Sequence, residues 1–143
     1  MNVNILLAVK GREVATISEE RSVADALALL KERDIGALIV TGTSAPLVGI
    51  FSERDVVRAL VGRGAATLEL RVGDLMSTGV TTCDETTSVT TLMGLMTEHH
   101  IRHIPITDGE HLVGLVSIGD VVKARFDELE HDKRDLLDYM NAR

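Results

Sequence analysis

Apolar residues at Val23, Ala26, Leu27 and Leu30 fall at i, i+3, i+4 and i+7, the spacing of a helix that buries one face. The same stripe returns 66 positions later at Val89, Leu92, Met93 and Met96. Ser22 and Ser88 stand directly before the two stripes and suit N-caps. Each stripe gives way to a short β-like run, Ala37 to Thr41 in one copy and His103 to Thr107 in the other. Turn residues follow, Gly42 to Pro46 or Asp108 to Glu110, and then a second run, Leu47 to Phe51 or Leu112 to Val116. Two apolar runs joined in this way predict a β-hairpin. The second run feeds straight into a helix that begins near Glu53 or Ile118. With Thr16-Ile17 and Thr82-Cys83 as corresponding opening segments, each unit reads β-α-β-β-α over about sixty residues.

The repeat is plainest in its last strand and helix, where LVGIFSERDVVRA (Leu47 to Ala59) reappears as LVGLVSIGDVVKA (Leu112 to Ala124). The pair before the aspartate changes most, from Glu53-Arg54 to Ile118-Gly119. Two related pockets with different linings are the expectation. A unit this small buries too little surface alone, so the copies should pack together as a pseudo-two-fold pair of class α+β. The organisation that follows is an N-terminal segment over 1–13, a first repeat over 14–63, a linker over 64–79, a second repeat over 80–125 and a helical tail over 126–143. In the tail Val122, Phe126, Leu129, Lys133, Leu136 and Met140 alternate spacings of four and three, without Gly or Pro. This predicts one long helix, its apolar seam broken by Lys133, that packs on its own module or forms a dimer contact.

Composition narrows the function classes. Aromatic residues make up 2% of the 143, so the core must be aliphatic and the stacking platform of single-strand binders is missing. A net charge of −7 argues against nucleic acid as a partner, although a local cluster of cations can still hold a small anion. Cys83 is the only cysteine, which precludes an intramolecular disulfide and fits a reducing compartment. The apolar run from Ile5 to Val9 is too short for a signal sequence and lacks a basic lead-in. No stretch reaches the roughly 20 apolar residues that span a bilayer. A cytoplasmic protein without membrane insertion is expected.

A strand that ends in Ser and opens a helix turns backbone N–H groups and a hydroxyl toward an incoming phosphate. An Asp three residues later can accept hydrogen bonds from both vicinal ribose hydroxyls. By this logic Asp55 and Asp120 hold ribose, with Ser52 and Ser117 near phosphate or ribose; the competing role for each Asp is helix capping or dipole compensation. Arg54 suits a phosphate as a fork-shaped donor, or else pairs at the surface with Glu53 or Asp55. Arg102 is the basic candidate of the second copy, where the first has Gly36, so the two sites should not be equivalent.

Together GIFSERD at Gly49 to Asp55, GLVSIGD at Gly114 to Asp120, IRHIPI at Ile101 to Ile106 and VGDLMS ahead of the second copy resemble the cystathionine-β-synthase (CBS) domain, present as a tandem pair. The resemblance runs from about Val14 to Arg125. It implies two adenosine-ligand cavities and frequent dimerisation. It also implies that Ile35-Gly36-Ala37 and Ile101-Arg102-His103-Ile104-Pro105 frame the base, with Thr16-Ile17 and Thr82-Cys83 facing across; plain core is the competing role, favoured for Ile104.

His99 and His103 would share a metal if both lay on one helix, but the repeat predicts that the helix gives way to strand before His103. No metal site is assigned; His103 is expected to bond a ligand or backbone, or to sense pH. No GxSxG, HExxH, P-loop or Rossmann pattern occurs, so no catalytic residue or catalytic cofactor is assigned and the chain reads as a non-enzyme. The leading reading is a sensor of AMP, ADP, ATP or NAD(H) that acts on an effector protein in trans as a homodimer. The alternatives are a constitutive interaction module and a sensor of S-adenosylmethionine, whose cationic sulfonium Arg54 and Arg102 disfavour.

Overall fold

The computed structural model describes residues 1–142; Arg143, the end of the expected tail, lies outside the described residues. The helical stripes form α2 (Val23–Arg33) and α5 (Val89–His99). Their N-caps work as the sequence implies: Ser22 Oγ accepts from the Asp25 N–H at 3.1 Å, and Ser88 Oγ from the Thr91 N–H at 3.0 Å. Both helices end on a non-glycine residue in the left-handed region, Asp34 at φ 53° and His100 at φ 54°. Each such residue costs about 1–2 kcal/mol, and both turn the chain from helix into strand at corresponding places in the repeat.

In the first repeat β1 (Thr16–Ser18) runs parallel to β2 (Ala37–Thr41), which pairs antiparallel with β3 (Gly49–Ser52). In the second repeat β4 (His103–Asp108) and β5 (His111–Ser117) form the matching hairpin. The expected opening strand there shrinks to a single parallel bridge between Cys83 and Ile106. Pro105 explains the loss. In the first repeat the Ile39 N–H donates to the Ala15 carbonyl at 3.1 Å, and Pro105, at the corresponding position, has no N–H to give.

The hairpins lead into α3 (Glu53–Arg63) and α6 (Ile118–Asn141), whose starts match the expected ones. A 3₁₀ turn over Gly64–Glu69 and the short α4 (Val72–Leu75) join the repeats. The N-terminal segment forms α1 (Val3–Lys10), capped by Asn2, whose Oδ1 accepts from the Ile5 N–H at 3.2 Å.

The N-terminal segment packs on the second repeat and the linker on the first, so neither joins the repeat that it directly precedes. The core of the second repeat combines Val89, Leu92, Met96, Ile104, Ile106 and Val116 with Val3, Leu6 and Leu7 of α1. The first combines Ile17, Val23, Leu30, Leu38, Val40 and Phe51 with Val72 of α4. The backbone bonds mirror one another: Val3 N–H to Thr87 O at 2.9 Å and Val89 N–H to Met1 O at 3.0 Å, against Val72 N–H to Arg21 O and Val23 N–H to Leu70 O, both 2.8 Å. Two glycines admit these helices. A Cβ at Gly114 would lie 2.8 Å from Leu7 Cδ2, and one at Gly49 would lie 2.7 Å from Met76 Sδ and 2.8 Å from the Ser77 carbonyl.

The last buried residue of α6 is Val121, and every described residue after Glu128 is exposed. The tail is therefore one long helix, as expected, but it does not pack on its own module. Phe126, Leu129, Leu136 and Met140 remain 60–63% exposed. No helix among the described residues is long and apolar enough to cross a membrane.

Candidate ligand cavities

Two cavities open where one repeat meets the other. The first, about 300 Å³, takes Ser52, Arg54 and Asp55 from the start of α3, Ser77 to Gly79 from the linker, and Val80, Thr81 and His99 to His103 from the second repeat. The second, about 710 Å³, takes Ser117 and Asp120 from the start of α6, Lys10 and Glu13 from the N-terminal segment, and Val14, Ala15 and Arg33 to Ala37 from the first repeat. They are built from corresponding parts: Val80-Thr81 and Val14-Ala15, His99-His100 and Arg33-Asp34, each Ser-x-x-Asp pair from the opposite repeat.

Both aspartates also cap their helices. The Ser52 N–H donates to Asp55 Oδ2 at 2.8 Å, and the Ser117 N–H to Asp120 Oδ2 at 2.8 Å. The Asp120 N–H returns a bond to Ser117 Oγ at 3.2 Å, a capping box with Asp in the acidic place. Capping uses one oxygen of each carboxylate, so it does not compete with a ligand role for the other. Ser77 Oγ donates to Asp55 Oδ1 at 3.4 Å. In the second cavity the Lys10 ammonium bonds both Asp120 Oδ2 and the Leu115 carbonyl. Burial works to raise the Asp120 carboxyl, but the bonds from Lys10 and the Ser117 backbone outweigh it, and the carboxyl titrates below its usual range.

His103 lines both cavities, its Cε1 and Nε2 facing Gly36 across the seam at the distance an added Cβ would find as 3.8 Å. Burial pushes its pKa down to about 4, the charges of Arg102, Lys10 and Arg54 push the same way, and Asp120 opposes them. The imidazole is neutral at neutral pH. His99 closes α5 and His100 is its left-handed cap, while His103 opens β4, so the three do not share a helical face.

Of the residues singled out from sequence, Ser52, Arg54, Asp55, Arg102 and His103 meet in the first cavity, and Ile35, Gly36, Ala37, His103, Ser117 and Asp120 in the second. Arg102, the basic candidate of the second copy, thus lines the first cavity beside Arg54. Arg54 donates to the His100 carbonyl at 3.1 Å, rather than pairing with Glu53 or Asp55. Thr16 and Ile17 lie on a separate depression of the first repeat with Arg21 and Asp25. Thr82 and Cys83 line neither cavity, and Ile104 and Pro105 are buried, Ile104 within the core. Burial raises the Cys83 thiol, with Asp84 adding to the effect and a bond with Thr87 opposing it. Lys10, Arg58 and the stretches 13–15 and 77–81 were not singled out. The signal for the N-terminal ones was the i, i+3, i+4 spacing of Val3, Leu6 and Leu7, which Val72, Leu75 and Met76 repeat before the second copy.

The CBS domain family model matches residues 8–62 and 72–127. The chain belongs to the CBS-domain family. It is 37% identical over 125 residues to CBS domain-containing protein CBSX3, mitochondrial, of Arabidopsis thaliana, covering 85% of this chain and 59% of the plant protein. The chain thus spans about three fifths of that relative. Among solved structures, a CBS-domain protein of Agrobacterium tumefaciens superposes with a TM-score of 0.84 at 41% identity, covering 87% of this chain and 92% of its own. A CBS-domain protein of Pyrobaculum aerophilum, solved in complex with AMP, superposes with a TM-score of 0.74 at 25% identity over 84% and 89% of the two chains. The two CBS repeats and their pseudo-two-fold pairing are the architecture expected from the sequence.

Proposed function

We propose that this CBS pair is a regulatory sensor of adenosine ligands and has no catalytic role. One observation carries the reading: each cavity joins a Ser-x-x-Asp helix start from one repeat to the strand entrance of the other. A ligand that bonds both sides favours one relative packing of the repeats, and a partner that reads that packing senses the ligand as a population shift. The AMP complex of the Pyrobaculum protein supports the ligand class. Asp55 and Asp120 hold the ribose through the carboxylate oxygen not engaged by the cap, and the aliphatic strand entrances at Ile35 and Ile101 wall the base. AMP, ADP, ATP and NAD(H) are the candidate ligands, in a cytoplasmic setting.

Output passes through a homodimer and an effector in trans. The exposed stripe of α6 favours a second copy in parallel, because this arrangement sets Arg125 of one copy opposite Glu130 of the other. Antiparallel pairing would oppose Glu130 to Glu130 and Asp132 to Asp132. Light scattering on the intact chain and on Leu129→Glu/Leu136→Glu tests this: a dimer that becomes a monomer supports it, and a monomeric intact chain refutes it.

A thermal-shift screen with AMP, ADP, ATP and NAD(H), repeated on Asp55→Asn and Asp120→Asn, tests the sensor. A ligand at a hundred times its Kd stabilises by about 2.7 kcal/mol, a shift of several degrees. No shift with any of them, nor with S-adenosylmethionine, on a folded, ligand-free sample would leave only a constitutive interaction module.

A further inference from the structure

The two cavities differ most in what neutralises their cations. In the first, Arg54, Arg58 and Arg102 face one carboxylate, Asp55. Among the described residues none of these three guanidiniums forms an ion pair. In the second, Lys10 and Arg33 face three carboxylates, Glu13, Asp34 and Asp120. Both of its cations are already paired, Lys10 with Asp120 and Arg33 with Glu13 at 3.6 Å. The difference is written into the repeat at each position. Gly119 stands where the first copy has Arg54, and Gly36 stands where the second copy has Arg102. Lys123 corresponds to Arg58 but turns to Asp127 at 3.0 Å, outside the second cavity.

We infer that the cavities divide adenosine ligands by charge: the first takes adenosine carrying two or three phosphates, and the second takes adenosine compounds that are neutral or cationic. The inference rests on the adenosine-sensor reading. Three unpaired forks can follow a polyphosphate chain, and arginine geometry suits paired phosphate oxygens. A polyphosphate in the second cavity would meet Asp34 and Glu13 with no free cation to answer it. The objection that Arg54 and Arg102 raise against a sulfonium ligand does not extend to that cavity, because both arginines line the first.

Isothermal titration of the intact protein tests this, with ATP and with 5′-methylthioadenosine and S-adenosylmethionine as probes, singly and after saturation with the other class. The expected result is that ATP and the thioadenosine bind together, each at one site per chain. Arg54→Gln/Arg102→Gln should weaken ATP at least about ten-fold and leave the thioadenosine within about two-fold. Glu13→Gln/Asp34→Asn should do the reverse for the sulfonium. Competition between the two classes for one site, or ATP affinity unchanged in the arginine variant, would overturn the division by charge while leaving an adenosine sensor. Failure of every probe to bind would overturn the sensor reading and this inference with it.

Discussion

Leu7 offers a sharp test of how the two ends of the chain hold one another. It is fully buried, it lies in the core of the second repeat, and its methyl groups occupy the space that a side chain at residue 114 would need. Leu7→Ala deletes a core side chain and should cost about 2–5 kcal/mol. Gly114→Ala forces a Cβ to 2.8 Å from Leu7 Cδ2 and 3.0 Å from Cδ1, and should cost about 1–3 kcal/mol as overpacking. In the double variant the added methyl enters the space that the leucine vacated, so its cost should fall to near zero. The coupling energy is then about 1–3 kcal/mol in the compensating direction. Urea denaturation followed by circular dichroism at 222 nm measures it; fluorescence is a poor probe, since the chain has no Trp and one Tyr. Equal m-values across the four proteins are required for the comparison. Additive costs would refute the packing of α1 on β5.

Ser88→Ala removes the cap of α5 far from either cavity and should lower stability by about 1 kcal/mol, seen by calorimetry as a few degrees in Tm with ligand response intact. His103 gives a pH signature. Its pKa is about 4 in the folded chain and near 6.5 when unfolded, so the unfolded state binds more protons between those values. Its contribution to stability is present above about pH 6.5 and lost as pH falls toward 4. His103→Gln should flatten that stretch of the Tm-against-pH curve, and an NMR titration of the His103 ring with a midpoint near 6.5 would contradict its burial. Asp120, held below its usual range, contributes stability above its unfolded pKa that is lost as pH falls. Lys10→Met should raise the Asp120 carboxyl, read from its carbon chemical shift; an unmoved titration would mean the Lys10 contact does not form.

The local rules carried most of the architecture. The starts of α3 and α6, the caps Ser22 and Ser88, and both hairpins follow from side-chain period, turn residues and N-terminal capping, all readable within a dozen residues. The arrangement of the cavities was less accessible, because each is assembled across the repeats. Arg102 belongs by sequence to the second copy, yet its strand entrance faces the helix start of the first, and no local pattern carries that crossing. The role of α1 was hidden for a related reason. An eight-residue helix has little stability of its own, so its signal lies in what it packs against, residues more than eighty positions away. The lost strand before Cys83 shows the opposite case, in which Pro105 announces a missing donor but the acceptor it fails is known only from the fold.

The placement of α1 also sets an order of events for a chain made from its N-terminus. The first repeat can close its core once α4 has emerged, with Val72 supplied from within the same half. Val3, Leu6 and Leu7 have no such partner until α5, the β4–β5 hairpin and Val121 exist, so an apolar helix stays unattached while most of the chain is synthesised. Its docking closes the longest loop in the molecule and therefore belongs late, after loop-closure entropy has been met elsewhere. Leu7→Ala is accordingly expected to accelerate unfolding far more than it slows refolding in stopped-flow experiments. A φ-value near one at that residue would reverse the order. The helix made ahead of both repeats is, on this view, the last to be put away.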